Sequence, residues 1–138
     1  MMIRPSPLRL AVFVVLAALG MSSCFAAAVD DLLQRYRTQG AGPFDPAVGA
    51  AQWDRPVVNA AAGETRRCSL CHSTNLRSVG KHATTGKRIE PLAPAANPAR
   101  LTDAEKIEKW LLRNCKWTWG RECTPQEKGN FLVMMRAQ

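Results

Sequence analysis

Hydrophobic and polar positions divide the chain into segments of different period. Leu10–Gly20 is an unbroken apolar run, too short to cross a bilayer comfortably. Asp30–Arg37, DDLLQRYR, has the pattern of a short amphipathic helix. Asp45–Trp53 opens on a capping Asp45 followed by Pro46 at the first helical position, which predicts a second helix, and GPFDP just before it predicts a turn. Ser73–Ala99 is rich in Gly, Pro, Lys and Thr and has no helical period. It predicts a long ordered loop of the kind that wraps a cofactor. Two capping boxes follow, Thr102 with Glu105 and Thr124 with Glu127, the second with Pro125 at the first helical position. They predict one helix from Thr102 to about Cys115, and another from Thr124 to the C-terminus that buries Phe131, Leu132 and Met135. In the first of these, Ile107, Trp110, Leu111 and Asn114 stand at i, i+3, i+4 and i+7, an apolar stripe that ends in an amide. Glu105, Lys106, Glu108, Lys109 and Arg113 occupy the rest of its surface. No segment has a persuasive strand pattern and none repeats. The pattern predicts a small all-α domain.

The N-terminus changes this picture by setting the compartment. Arg4 and Arg9 are the only charges before Asp30, they precede the apolar run, and an Ala-x-Ala closes it at Ala26–Ala28. This is the order of a secretory signal peptide, expected over 1–28 with cleavage near Ala28, leaving a domain over 29–138. A retained anchor and a lipoprotein acylated at Cys24 are the alternatives. Loss of Arg4 and Arg9 lowers the net charge from +8 to +6. A basic exported chain suits acidic partners or membrane surfaces, and nothing in it suggests a nucleic-acid fold. The expectation is a periplasmic monomer with no membrane span in the mature chain.

The chemistry concentrates in Arg66–Asn75, RRCSLCHSTN. A Cys-x-x-Cys serves zinc sites, dithiol redox couples and covalent haem attachment, and only the last needs His directly after the second Cys. A zinc site would have to pool Cys68 and Cys71 with Cys115 and Cys123, whose spacing is long for a zinc knuckle. A thioredoxin-like dithiol should follow a strand, and none is evident before Cys68. Cys68-Ser69-Leu70-Cys71-His72 matches haem attachment in full: two thioether anchors and a proximal iron ligand, His72. Cys115 and Cys123 are left for one disulfide around Gly120.

The sixth iron ligand decides between functions. No methionine lies between His72 and Met134, so the loops that usually offer sulfur have none. Met134 and Met135 fall in the last helix, as core or as ligand. His82 sits in GKHATTGK, exposed or as ligand. Asn114 ends the stripe, as a helix C-cap or as a ligand to iron.

Cys68–Lys128 resembles the SHP (sphaeroides haem protein) family of class I-like monohaem c-type cytochromes, a group also filed as a domain of unknown function. The residues that carry the resemblance are CSLCH, the stretch from Thr85 to Cys115, and GRECTPQEK from Gly120 to Lys128. Between Lys116 and Trp119 the sequence KWTW departs from the pattern. The resemblance implies one covalent haem c in a class I cytochrome c-like fold. It implies His72 and Asn114 as iron ligands and a Cys115–Cys123 disulfide beside Asn114. Trp110, one turn before Asn114 on the same stripe, is expected to pack beside the macrocycle without coordinating the iron. The resemblance further implies reduction by a multihaem or dihaem cytochrome and binding of O2, NO or CO by the ferrous protein. Two functional readings remain: a plain electron carrier with a Met or His distal ligand, and a ligand-binding or oxygenase-like protein, for example one converting bound O2 and NO to nitrate.

Overall fold

A computed structural model describes residues 23–138, so the apolar run and most of the expected leader lie outside the described residues. Helix α1 spans Ser23–Thr38 and begins upstream of the expected segment. Its Val29, Leu32, Leu33 and Tyr36 follow i, i+3, i+4 and i+7 and are buried, which gives the helix one face for the core. Helix α2, Pro46–Asp54, starts as its sequence predicts: the Asp45 carboxylate accepts from the Ala47 N–H at 2.7 Å. The long helices α4, Ala104–Trp119, and α5, Pro125–Arg136, follow the central loop. Thr124 and Glu127 form the expected capping box on α5. The start of α4 differs from expectation. Asp103, not Thr102, is its N-cap and accepts from the Lys106 N–H at 3.0 Å, while the Thr102 hydroxyl donates to Ala99 O.

Helices α1 and α2 pack on α5, and α1 packs on α4. Phe131, Leu132, Leu32, Leu76 and Val29 are the most deeply buried side chains at the centre of this all-α core. Burial of their apolar surface is the main stabilising term. One polar triad spans three helices: Tyr36 donates to Glu108 at 2.5 Å, and Lys128 donates to the same carboxylate at 2.6 Å. Burial raises the Tyr36 phenol far above its usual range, and the bond to Glu108 raises it further, so it stays a donor.

Two small ribbons correct the expectation of no strand. β1, Val57–Asn59, pairs antiparallel with β2, Glu64–Arg66, and β3, Gly80–Lys81, pairs with β4, Arg88–Ile89. Each strand is too short to show alternation, and β1 even reverses it, exposing Val58 and burying Asn59. A one-turn helix α3, Ser69–His72, lies between the ribbons. Ser73–Ala99 is otherwise the expected loop, anchored inward at Leu76 and Ala93. It is tied there by Leu92 and Ala93 N–H groups donating to Leu76 O, both at 3.0 Å.

Candidate functional site

The two thiols and the imidazole of the motif are brought together by one turn of helix. His72 N–H donates to Cys68 O at 3.2 Å and Ser73 N–H to Ser69 O at 2.9 Å. Cys68, Cys71 and His72 thus stand at i, i+3 and i+4, on one side of α3. Such a short helix is not stable alone, and its surroundings hold it. Cys68 N–H donates to Trp53 O at 3.1 Å, the Ser69 hydroxyl donates to Asp54, and the Trp53 indole donates to Ser73 O at 2.9 Å. Ser73 takes a φ of 67°, which turns the chain sharply out of the helix.

The β3–β4 ribbon closes over the other side. A Cβ at Gly80 would stand 2.2 Å from Cys71 O and 3.2 Å from His72 Cα, so only glycine lets β3 come this near. The Ala83 N–H donates to the Cys71 sulfur at 3.3 Å. The third wall is α4. Buried Thr118 lies with its hydroxyl beside the Cys68 sulfur, and burial pushes that thiol up to about 12 against the hydroxyl's opposing pull.

His72 is shaped as a ligand. Burial, with the nearby Arg100 and His82 charges, pushes its pKa down to about 4, so the imidazole is neutral at pH 7. Its Nδ1 is buried and has no hydrogen-bond partner. No backbone carbonyl among the described residues reaches that nitrogen, although such a partner commonly orients a metal-ligating histidine. The Trp53 ring stands 5.6 Å from the imidazole and restricts its orientation. A neutral imidazole with an unpartnered nitrogen, beside two unpaired thiols on one helical turn, fits a covalent haem. A zinc site is not supported. Cys115 and Cys123 are joined as a disulfide with Cα atoms 5.6 Å apart, and no metal-holding cluster of three or more His, Cys, Asp or Glu occurs among the described residues.

The distal candidate falls differently from the helix expected for it. Because α4 continues to Trp119, Asn114 is inside the helix, and the C-cap is Gly120 at φ 71°. The C-cap explanation of Asn114 is thereby removed. Its side chain is half-buried and makes no hydrogen bond among the described residues. Thr118, one turn on and on the same face, is the residue beside Cys68, so that face of α4 is turned toward the motif. Trp110, one turn before Asn114, is 46% exposed and carries the Arg113 guanidinium 5.3 Å from its ring centre. The stripe is thus buried at Ile107 and Leu111 but open at Trp110. Met134 and Met135 are core residues on α5. His82 is not exposed as expected: it is half-buried against Trp117, with Nδ1 accepting from the Thr84 and Thr85 N–H groups. Trp53, Gly80 and Thr118 escaped the sequence reading, since nothing local marks residues that meet the motif only in the fold.

A family model described as a domain of unknown function, DUF1924, matches residues 39–135. The chain is 38% identical over 107 residues to the cytochrome c-type protein SHP of Cereibacter sphaeroides, covering 78% of this chain and 81% of that protein. The chain belongs to the SHP family of c-type cytochromes. It is also 40% identical over 74 residues to cytochrome c'' of Methylophilus methylotrophus, covering 54% of this chain and 51% of that protein. The fold is similar to oxidised SHP, described as an oxygen binding cytochrome c, at a TM-score of 0.71 and 35% identity over 80% of this chain and 96% of SHP. Oxidised cytochrome c'' is similar at a TM-score of 0.70 and 29% identity over 82% of this chain and 96% of that one. The helical architecture around the Cys-x-x-Cys-His turn is that of an SHP-type cytochrome c.

Proposed function

We propose that the chain is an exported monohaem cytochrome whose iron is ligated by His72 and Asn114. It accepts electrons from a multihaem or dihaem cytochrome and binds O2 or NO when Asn114 leaves on reduction. The haem supplies a one-electron couple and, when ferrous, an open coordination position. Cys68 and Cys71 anchor it, and Trp53 and β3 hold His72 in orientation. The observation that carries the distal assignment is Asn114: a half-buried amide without a hydrogen-bond partner, one turn from the residue beside Cys68.

An amide oxygen is a hard, weak donor, suited to ferric rather than ferrous iron. The far end of α4 is fixed. Asn59 donates to Trp117 O at 2.8 Å, Arg66 donates to the same oxygen at 2.8 Å, and Cys115 is bonded to Cys123. Release therefore needs rotation of the Asn114 side chain, not movement of the helix or a hinge in a loop. One relative, SHP, is described as oxygen binding, and a structure of another, cytochrome c'', is described in terms of haem-ligand detachment, which supports a labile distal ligand. Residues 1–28 are taken as the cleaved leader to the periplasm. Val29, Leu32, Leu33 and Tyr36 all follow Ala28, so cleavage there keeps these four residues of the inward face of α1, although it removes the buried Ala28.

The test is Asn114→Ala in the holoprotein. The haem should stay attached, the ferric visible and EPR spectra should change, and the ferrous spectrum and CO binding should stay nearly as in the parent. An unchanged ferric spectrum, with Met134→Ala or Met135→Ala altering it instead, would sink the distal assignment in favour of an electron carrier.

A further inference from the structure

Both ribbons and helix α4 meet at Trp117, three residues after Asn114 and next to Thr118. Trp117 stands in KWTW, where the chain departs from the pattern of its family, so the resemblance carries nothing over to it. Residues three apart on a helix are neighbours, and a helical side chain leans over the turn before its own Cα. The Trp117 indole therefore leans toward the turn that carries Asn114. Its contacts set the side it occupies. The His82 ring lies 6.2 Å from the indole, and the next residue, Ala83, donates its N–H to the Cys71 sulfur at 3.3 Å. Thr118 lies beside the Cys68 sulfur. Trp117 thus spans from α4 to the β3–β4 ribbon on the Cys71 side of the motif, one turn from Asn114. The indole is also held there. The Arg66 guanidinium lies 4.1 Å from its ring centre, a stacking distance, and donates to Trp117 O at 2.8 Å. The Arg66 side chain is 15% exposed and donates in turn to Glu64 at 3.0 Å. Asn59 donates to Trp117 O at 2.8 Å, which fixes the backbone behind the ring. His82 is tied down as well: its Nδ1 accepts from the Thr84 and Thr85 N–H groups, both at 3.2 Å, and its N–H donates to Lys87 O at 2.8 Å.

We infer that Trp117 is a specificity-determining residue: it walls the space beside Asn114 and admits diatomic ligands to the sixth coordination position while excluding bulkier ones. Arg66 is the positioning residue that keeps the indole there. The inference rests on the proposal that Asn114 leaves the ferrous iron to an external ligand. Exclusion by size needs a wall that cannot yield, because a side chain free to swing aside lets the larger ligand in at little cost. Trp117 meets that need, since a guanidinium stacks on its ring and two donors hold its backbone. A diatomic ligand has one atom beyond the bound one and needs little lateral room. A branched ligand needs the room that the indole takes.

The experiment uses ferrous holoprotein whose haem attachment has first been verified by its visible spectrum. The probes are CO, methyl isocyanide and tert-butyl isocyanide, all of which bind ferrous haem through carbon. In the parent, CO and methyl isocyanide should bind, and tert-butyl isocyanide should bind far more weakly than methyl isocyanide. Trp117→Ala should raise the tert-butyl isocyanide affinity about tenfold or more and change the CO affinity less than about threefold. Trp117→Phe should fall between parent and Trp117→Ala. Arg66→Met keeps the indole but loosens it, and should raise the tert-butyl isocyanide association rate about threefold or more. Lys116→Ala, whose side chain turns away to Glu122 at 3.2 Å, should change none of these by more than about twofold. A loss of stability alone does not alter the discrimination between the two isocyanides. Trp117→Phe and Arg66→Met decide the matter where Trp117→Ala yields no holoprotein. A parent that binds CO and takes both isocyanides equally well overturns the inference and leaves the distal assignment standing, as do variants whose discrimination matches the parent's. A parent that binds no CO overturns both.

Discussion

Replacing Gly80 with Ala tests how the motif is held. The new Cβ would meet Cys71 O at 2.2 Å, Cys71 C at 3.3 Å and His72 Cα at 3.2 Å. All three are backbone atoms, so no side chain can swing away. A carbon and a carbonyl oxygen settle at about 3.3 Å, so β3 must retreat by about 1 Å. That retreat pulls on the pairing of Gly80 with Ile89 and on the Ala83 N–H bond to the Cys71 sulfur. Overpacking of this kind costs about 1–3 kcal/mol, and a backbone obstacle puts it at the upper end. Loss of glycine's freedom in the unfolded chain offsets about 0.4–1 kcal/mol. The net expectation is about 2 kcal/mol, or about 6–12 °C in Tm. Denaturant unfolding of the holoprotein measures it, with Gly63→Ala as the comparison. Gly63 has a φ of +68° and nothing within 4 Å of an added Cβ, so its cost should be only the left-handed penalty of about 1 kcal/mol. The visible spectrum should shift for Gly80→Ala and not for Gly63→Ala. A Gly80→Ala protein as stable as the parent, with an unchanged spectrum, would refute the close seating of β3 on the motif.

Opening the Cys115–Cys123 disulfide, which closes a sequence separation of 8, should cost about 2.5 kcal/mol on the loop-entropy estimate, read as the denaturant midpoint of the Cys115→Ser, Cys123→Ser protein. Asn59→Ala should cost about 2–3 kcal/mol, because Trp117 O loses a donor in a buried setting while Ala61 and Ala62 lose the Asn59 carbonyl; thermal melts measure it, and a cost below about 0.5 kcal/mol would mean the end of α4 is not clamped there. Burial alone would raise the Glu127 carboxyl, but hydrogen bonds from Arg121 and Thr124 outweigh it and hold its pKa below the usual value of 4.5. Its contribution is therefore complete above about that pH and is lost as pH falls through the lower folded value. Glu127→Gln should destabilise the protein by about 1 kcal/mol at pH 7 and flatten the acid side of the stability profile between about pH 5 and 3. An acid limb as steep as the parent's would count against the linkage.

The chemistry of the motif was legible because it is local. Cys68, Cys71 and His72 need only one helical turn to share a face, and five consecutive residues state that requirement. The starts of α2 and α5 were legible for the same reason, since a cap and the groups it satisfies lie within three residues of each other. Beyond that distance the sequence alone ran short. Thr102 and Asp103 can both cap α4, and only the turn that engages Thr102 with Ala99 O leaves the role to Asp103. The end of α4 was read one turn too early because Asn114 is a good terminal residue by itself. The helix continues because Gly120 caps it in the left-handed region and because Asn59 and Arg66, more than 50 residues earlier, accept the task of satisfying its last carbonyls. That decision moves Asn114 from a helix end to a helix interior and so changes what it can do. The nearness of Gly80 to Cys71, of Trp53 to His72 and of Thr118 to Cys68 likewise exists only in the folded chain. Local hydrogen bonds within a turn are encoded by neighbouring residues, whereas the walls of the site are set by which segments pack together to bury the core.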